Sequence, residues 1–342
     1  MPLHNTGLFI ILAMVLLLPF LVKKIEEELE LFLFFMGCLA VTITTQWNAH
    51  LIKEAFSEPI KITLAVFCAG LLFRILQKPL AEHIDNMVGK LGLRFFIALV
   101  IVVLGFLSSV ITAIIASLVL VEIVHCLKLK RSAKIRIVVL ACFSIGLGAA
   151  LTPIGEPLST IFIAKLRGEP YQAGFFFILK EYGYYIASGI IVFGLLGIFL
   201  VSPGRHADIA CLKEERESIK DILMRTAKIY LFVMALIFLG RGFKPIIEEY
   251  ISRISYQGLY WMNMISAIVD NATLTAAEIG PTLQPHQIKA ALLGLLISGG
   301  MLIPGNIPNI IAAGKLKIKS SEWAKYGIPL GLIIMFACFL LL

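Results

Sequence analysis

Thr152-Pro153-Ile154-Gly155-Glu156-Pro157 interrupts a long apolar run, and its reading decides the fold. Proline removes a backbone donor and its ring clashes with the preceding turn, so two prolines and a glycine in six residues end one helix and begin another. The apolar residues before the interruption start near Lys134 and those after it stop at Leu166, which predicts one broken helix over 134–166. At an offset of 150 residues, Pro304-Gly305-Asn306-Ile307-Pro308-Asn309 interrupts a second run, over 287–316. Gly155, Ile161, Lys165 and Leu166 then fall on Gly305, Ile311, Lys315 and Leu316.

Each broken helix is preceded by an apolar stretch with a polar middle. Residues 93–127 are too many for one crossing of about 20 residues and too few for two crossings and a loop. Ser108-Ser109-Val110-Ile111-Thr112 lies near the centre, which predicts a re-entrant hairpin of two half-helices. The alternative is one long tilted helix whose polar side chains bond back to the backbone. The stretch 259–279 has the same character, with Ser266 to Thr273 in its middle. Leu107 to Thr112 aligns with Ile265 to Asp270 at an offset of 158.

The remaining apolar runs complete an all-α integral membrane protein. Scaffold helices over 7–22 and 31–47 occupy residues 1–58. A first repeat covers 59–201: a helix over 59–77, an amphipathic linker over 78–92, the hairpin 93–127, the broken helix 134–166 and a helix over 175–201. A charged loop, 202–225, precedes a second repeat over 226–342: a helix over 226–243, the hairpin 259–279, the broken helix 287–316 and a helix over 324–342. Lys23 and Lys24 follow the first apolar run, the reverse of a cleavable signal, so that run is expected to be retained.

Composition agrees. Of 342 residues, 59% are hydrophobic and only 15% charged, more apolar surface than a soluble domain of this length can cover. The net charge of +8 sits in clusters between apolar runs, as loop cations do, and no basic patch is interleaved with aromatics, so nucleic acid is not an expected partner. The six cysteines are scattered singly, with neither disulfide nor metal spacing.

Three crossings per repeat turn the second repeat upside down, the inverted plan of many secondary transporters. With the N-terminus outside, 21 of the 30 Lys and Arg fall on the inner side. The positive-inside rule thus favours a multi-pass protein of the inner or plasma membrane with both termini outside.

Broken backbone at membrane depth is tolerated only inside protein or beside a wet cavity. Two breaks and two tips brought together make a polar chamber suited to an ion. Asp270 at the second tip and Glu156 in the first break are its carboxylates, both candidate sodium ligands. Burial favours a neutral carboxyl and a bound cation favours the charged form, so proton and cation compete for one group. Asn271, Thr273, Asn306 and Asn309 supply neutral donors and acceptors in the second half, and Ser108, Ser109, Thr112, Thr152 and Ser159 in the first. Each of these can equally satisfy local backbone. Glu122 and Glu278 are expected near the interface on the far hairpin arms, and Lys165 and Lys315 as interfacial anchors beyond helix ends.

Thr152-Pro153-Ile154-Gly155-Glu156-Pro157 and Asp270-Asn271-Ala272-Thr273 resemble motifs of the ion transporter superfamily, which includes arsenite permeases, sodium/proton antiporters and divalent anion/sodium symporters. The first resembles the Thr-Pro-Ile-Gly-x-Pro break and the second the Asp-Asn tip of the antiporters, over roughly residues 59–342. The resemblance implies a homodimer and elevator-like movement. The Ser-Asn-Thr tips of the symporters appear at neither tip here.

The expected function is sodium/proton antiport, with a small inorganic ion and protons as substrates and no cofactor. The alternative is an anion transporter, for arsenite or an organic acid, coupled to sodium or protons. An enzyme is not expected. Asp85, Asp208 and Asp221 read as loop residues, HExxH is absent, and His125 has no partner evident in sequence.

Overall fold

Long runs of Leu, Ile, Val and Phe without charges form helices, because a helix satisfies every backbone donor and acceptor within itself and lipid offers none. The computed structural model describes residues 3–22, 24–25, 28–57, 59–60, 63–64, 67–68, 71, 88–127, 129–200, 219–251, 254–269 and 271–342. Among these, no strand is present. The helices are α1 (Leu3–Leu21), α2 (Leu29–Ile43), α3 (Leu93–Ile111), α4 (Ala113–Cys126), α5 (Arg131–Ala149), α6 (Pro157–Lys165) and α7 (Phe177–Leu200). They continue with α8 (Ile219–Ile251), α9 (Tyr256–Met262), α10 (Asn271–Glu278), α11 (Pro285–Ser298), α12 (Ile307–Leu316) and α13 (Ser320–Phe339). Short 3-10 turns cover Asn263–Ala267 and Ile303–Gly305.

Five of these helices, α3, α5, α7, α8 and α13, are long and apolar enough to cross a membrane. Phe95, Val110, Phe199 and Ile333 face outward from them, an apolar surface that water does not favour and lipid does. The protein is therefore all-α and has the character of a membrane-embedded chain.

Close backbone approach organises the bundle. Gly37 of α2 meets the α8 backbone at Ala235, and Gly242 of α8 meets α2 at Ala40. α3, α5 and α7 pack mutually, α5 buried among them. Ser144 Oγ donates to the Ile101 carbonyl at 2.9 Å, and Ser108 Oγ to that of Ile145 at 2.9 Å, so α3 and α5 run parallel. In the second half, α9 and the turn after it lie along α11. The two halves also interlock: α4 packs on α12, and α10 on α6.

Both predicted helix breaks are present. α5 ends at Ala149 and α6 begins at Pro157; α11 ends at Ser298 and α12 begins at Ile307. The first polar tip is present as well, where α3 gives way to α4 at Thr112.

Three expectations need correction. The helix expected over 226–243 is far longer: α8 has 33 residues, about 50 Å, and takes in the end of the expected loop, with Asp221 inside the helix. Charged residues at both ends let it run past the apolar layer, a pattern that composition alone reads as loop. The second tip is built differently from the first, through the turn Asn263–Ala267. The expected helix over 31–47 stops at Ile43 and turns at Thr44 and Thr45. The helix expected over 59–77 and the linker over 78–92 lie mostly outside the described residues, as does the loop 202–218.

Candidate functional site at two helix breaks

Each break leaves carbonyls at the end of one half-helix without partners, and one side chain in the next half-helix supplies donors. In the first break, Ser159 Oγ donates to the Ala150 carbonyl at 3.0 Å and reaches that of Ala149 at 3.4 Å. In the second, Asn309 Nδ2 donates to the Gly299 and Leu302 carbonyls, both at 2.8 Å. Gly155 packs against the Ala149 carbonyl and Gly305 against that of Gly299, so closely that neither admits a methyl group. Asn309→Ala removes two buried donors at once and is expected to destabilise the protein by about 1–3 kcal/mol. Thermal unfolding in detergent reads this; an unchanged midpoint would contradict the role given to Asn309.

Glu156 and Asn306 are the residues immediately before α6 and α12, and both are buried. The N-terminal turns of half-helices carry partial positive charge and unpaired N–H groups. Asn306 also crosses to the other half: a methyl built on Gly146 of α5 would sit 2.6 Å from Asn306 Nδ2. The second break thus rests on the helix that leads into the first.

The first tip is tied to the first break. Ala113 N–H donates to the Gly155 carbonyl at 2.9 Å, and Thr152 Oγ1 donates to the Ser109 carbonyl. Thr112 caps α4 and has φ 76°, a left-handed value costing a β-branched residue about 1–3 kcal/mol. Strain of that kind persists only where surrounding bonds over-determine the backbone, as these do. The second tip also meets the second break, through close packing of Gly305 against the Ser266 carbonyl.

Several candidate side chains are thus engaged with backbone: Ser108, Ser109, Thr152, Ser159 and, through its Nδ2, Asn309. The Nδ2 of buried Asn271 and the Oδ1 of Asn309 make no hydrogen bond among the described residues. Asp270 lies outside the described residues, between buried Val269 and buried Asn271, and the Thr273 side chain is outside them too.

Glu122 and Lys315, both expected near the interface, are buried against each other. Lys315 Nζ lies 2.7 Å from Glu122 Oε1, with side-chain exposures of 2% and 11%, and joins α12 to α4. His125 stands 3.9 Å from the same carboxylate. A charge in an apolar helix is retained only against a partner, which overrides the drift of a lone lysine toward the surface. Lys165 is exposed. Glu278 is buried as well, and Asn263 beside it was not foreseen. The signal available in sequence was that Glu122 is the only Asp, Glu, Lys or Arg between Arg94 and Lys128; Lys315, two residues before Lys317, carries no such signal.

Polar bonds also fix which ends of the half-helices meet. Arg131, at the start of α5, donates to the Leu316 carbonyl at 2.8 Å and the Lys317 carbonyl at 2.6 Å, and pairs with Glu322 at 2.8 Å. The Tyr171 hydroxyl, beyond α6, donates to the Leu283 carbonyl, just before α11. α5 therefore begins where α12 ends, and α6 ends where α11 begins. Desolvation pushes the Tyr171 phenol above its ordinary value.

A family model described as "Protein of unknown function (DUF1646)" matches residues 5–342. No curated protein matches the chain.

Proposed function

We propose that this chain, which belongs to the DUF1646 family, is a secondary active transporter that exchanges a monovalent cation, sodium foremost, for protons. The observation that carries the proposal is the pair of helix breaks, with buried Glu156 and Asn306 at their N-caps and Asn306 reaching across to α5. Buried polar groups on interrupted backbone in an apolar bundle are the hallmark of an ion path.

An inverted repeat with re-entrant hairpins is supported by bonds that recur at the sequence offsets. Ser108 Oγ to the Ile145 carbonyl has its counterpart in Ser266 Oγ to that of Leu295. Ser159 on the Ala149 carbonyl has its counterpart in Asn309 on Gly299. The two broken helices run in opposite directions, since α5 starts beside the end of α12. Each hairpin's second arm lies on the other half's second half-helix, as a two-fold axis in the membrane plane would place them.

In this reading the end where Arg131, Lys315, Lys317 and Lys319 gather is cytoplasmic, and both termini are outside. Asp270 and Glu156 hold the cation, helped by Asn271, Thr273 and Asn306. Two copies form a dimer through outward apolar faces.

Purified protein in vesicles, with an internal pH dye and imposed Na⁺, Li⁺ or K⁺ gradients, tests the proposal. Wild type is expected to move protons against at least one cation, and Asp270→Asn to fall to the level of protein-free vesicles. Proton movement indifferent to every cation, or a fully active Asp270→Asn, sinks the antiport reading. Uptake of arsenite or a dicarboxylate instead would select the anion alternative.

A further inference from the structure

Glu278 closes α10 and is 4% exposed. Neither of its carboxylate oxygens makes a hydrogen bond among the described residues. Its polar neighbour is the fully buried Asn263. Asn263 Nδ2 donates to the Ala291 carbonyl at 3.1 Å, which fixes the amide, and its Oδ1 has no donor. Among the described residues, Asn263 is the side chain whose N–H group approaches the Glu278 carboxylate, and neither Glu278 oxygen completes a hydrogen bond.

Among the described residues, no charge compensates the Glu278 carboxylate. The elements packed on α10 are α6, α8, α11 and the turn Asn263–Ala267. Lys165, on α6, is exposed. Lys228, on α8, pairs with Glu28 and Glu30. Lys289, on α11, bonds the Tyr185 hydroxyl and the Leu341 carbonyl. Neither these nor Arg241 and His286 form an ion pair with Glu278 among the described residues. The turn carries no titratable group.

An ionised carboxylate here is out of water without a counter-charge. It also sits at a helix C-terminus, where the backbone carbonyls are already negative. A proton on one Glu278 oxygen removes both costs. One carboxyl and one amide oxygen are too few for a sodium ion, but they suffice for a proton. The first half has no equivalent: Gly105 stands at the place of Asn263, and Ser144 Oγ fills the space.

We propose that Glu278, beside Asn263, is a proton-binding site of this transporter, separate from Asp270. The O–H bond forms with a proton from water on one side of the membrane and breaks by release to water on the other, with no other reactant. This deepens the antiport reading and rests on it: the cation keeps Asp270, and the proton has its own carboxylate eight residues further along the chain.

Infrared spectroscopy and vesicle flux on Glu278→Gln and Glu278→Asp test it. Gln keeps the shape and the neutrality of a protonated Glu278, so folding is preserved. Wild type is expected to show a carboxylic acid C=O band at neutral pH that is lost in Glu278→Gln. Proton flux in that variant is expected to fall to the level of protein-free vesicles, with partial recovery in Glu278→Asp. A band that survives Glu278→Gln overturns the proposal, as does wild-type proton flux in Glu278→Gln. If wild type moves no ion at all, the transporter reading fails instead, and the band alone still decides whether Glu278 holds a proton.

Discussion

Replacing Lys315 by methionine is expected to destabilise the folded protein by about 3–5 kcal/mol, because it strands the Glu122 carboxylate in the interior. The pair is 2.7 Å long and almost wholly screened from solvent, so water cannot take the place of the lost ammonium. His125, at 3.9 Å, gives only partial compensation. Glu122→Leu is expected to be comparably harmful, since it leaves a buried cation. Combining the two should recover most of the loss, because an apolar pair of similar volume has no desolvation to overcome. Unfolding in detergent of wild type, both single variants and the double variant gives the coupling directly. Single variants that melt like wild type would mean that the pair contributes nothing.

Gly148→Ala should be as damaging. Its new methyl carbon would lie 1.7 Å from the Gly105 carbonyl oxygen, 2.5 Å from the carbonyl carbon and 2.9 Å from Ser108 Oγ. The first two are backbone atoms, which cannot rotate away, so α3 and α5 must separate. That separation also breaks the Ser108–Ile145 and Ser144–Ile101 bonds. The cost is expected to reach or exceed about 3 kcal/mol, the upper end for overpacked interiors. Gly314→Ala is the control, because nothing lies within 4 Å of its added carbon. It should be neutral or stabilising by up to ~1 kcal/mol, as alanine favours a helix over glycine. Equal melting of the two variants would show that α3 and α5 do not approach as described.

The helix breaks were legible because proline and glycine act locally, so 152–157 and 304–309 announce themselves within six residues. The first tip was legible for a similar reason, since Ser108, Ser109 and Thr112 interrupt an apolar run that is too long. What the side chains do there was less so. Thr152, Ser159 and Asn309 looked like ion contacts or backbone caps with equal force, and only their distances to particular carbonyls separate the two uses. The partner of Lys315 lies 193 residues away in sequence, and no local periodicity encodes such a pairing. Asn263 escaped notice because it precedes the polar cluster at Ser266 by nearly one turn, inside a segment that reads as plain helix. The true extent of α8 escaped because a helix that runs out into water and a charged loop have the same composition.

The interlocking of the halves has a consequence for how the chain is made. α4 is complete at residue 126, yet its packing partner α12 begins only at residue 307. At 5–20 residues per second, about 180 intervening residues take roughly ten to forty seconds to synthesise. Throughout that interval a nascent chain holds the acidic side chain of Glu122 with no Lys315 in existence. α6, by contrast, waits only for α10. The order of translation therefore makes the segment from residue 307 onward a folding requirement for α4, and a ribosome stalled before residue 307 leaves an insertion intermediate for membrane quality control to recognise.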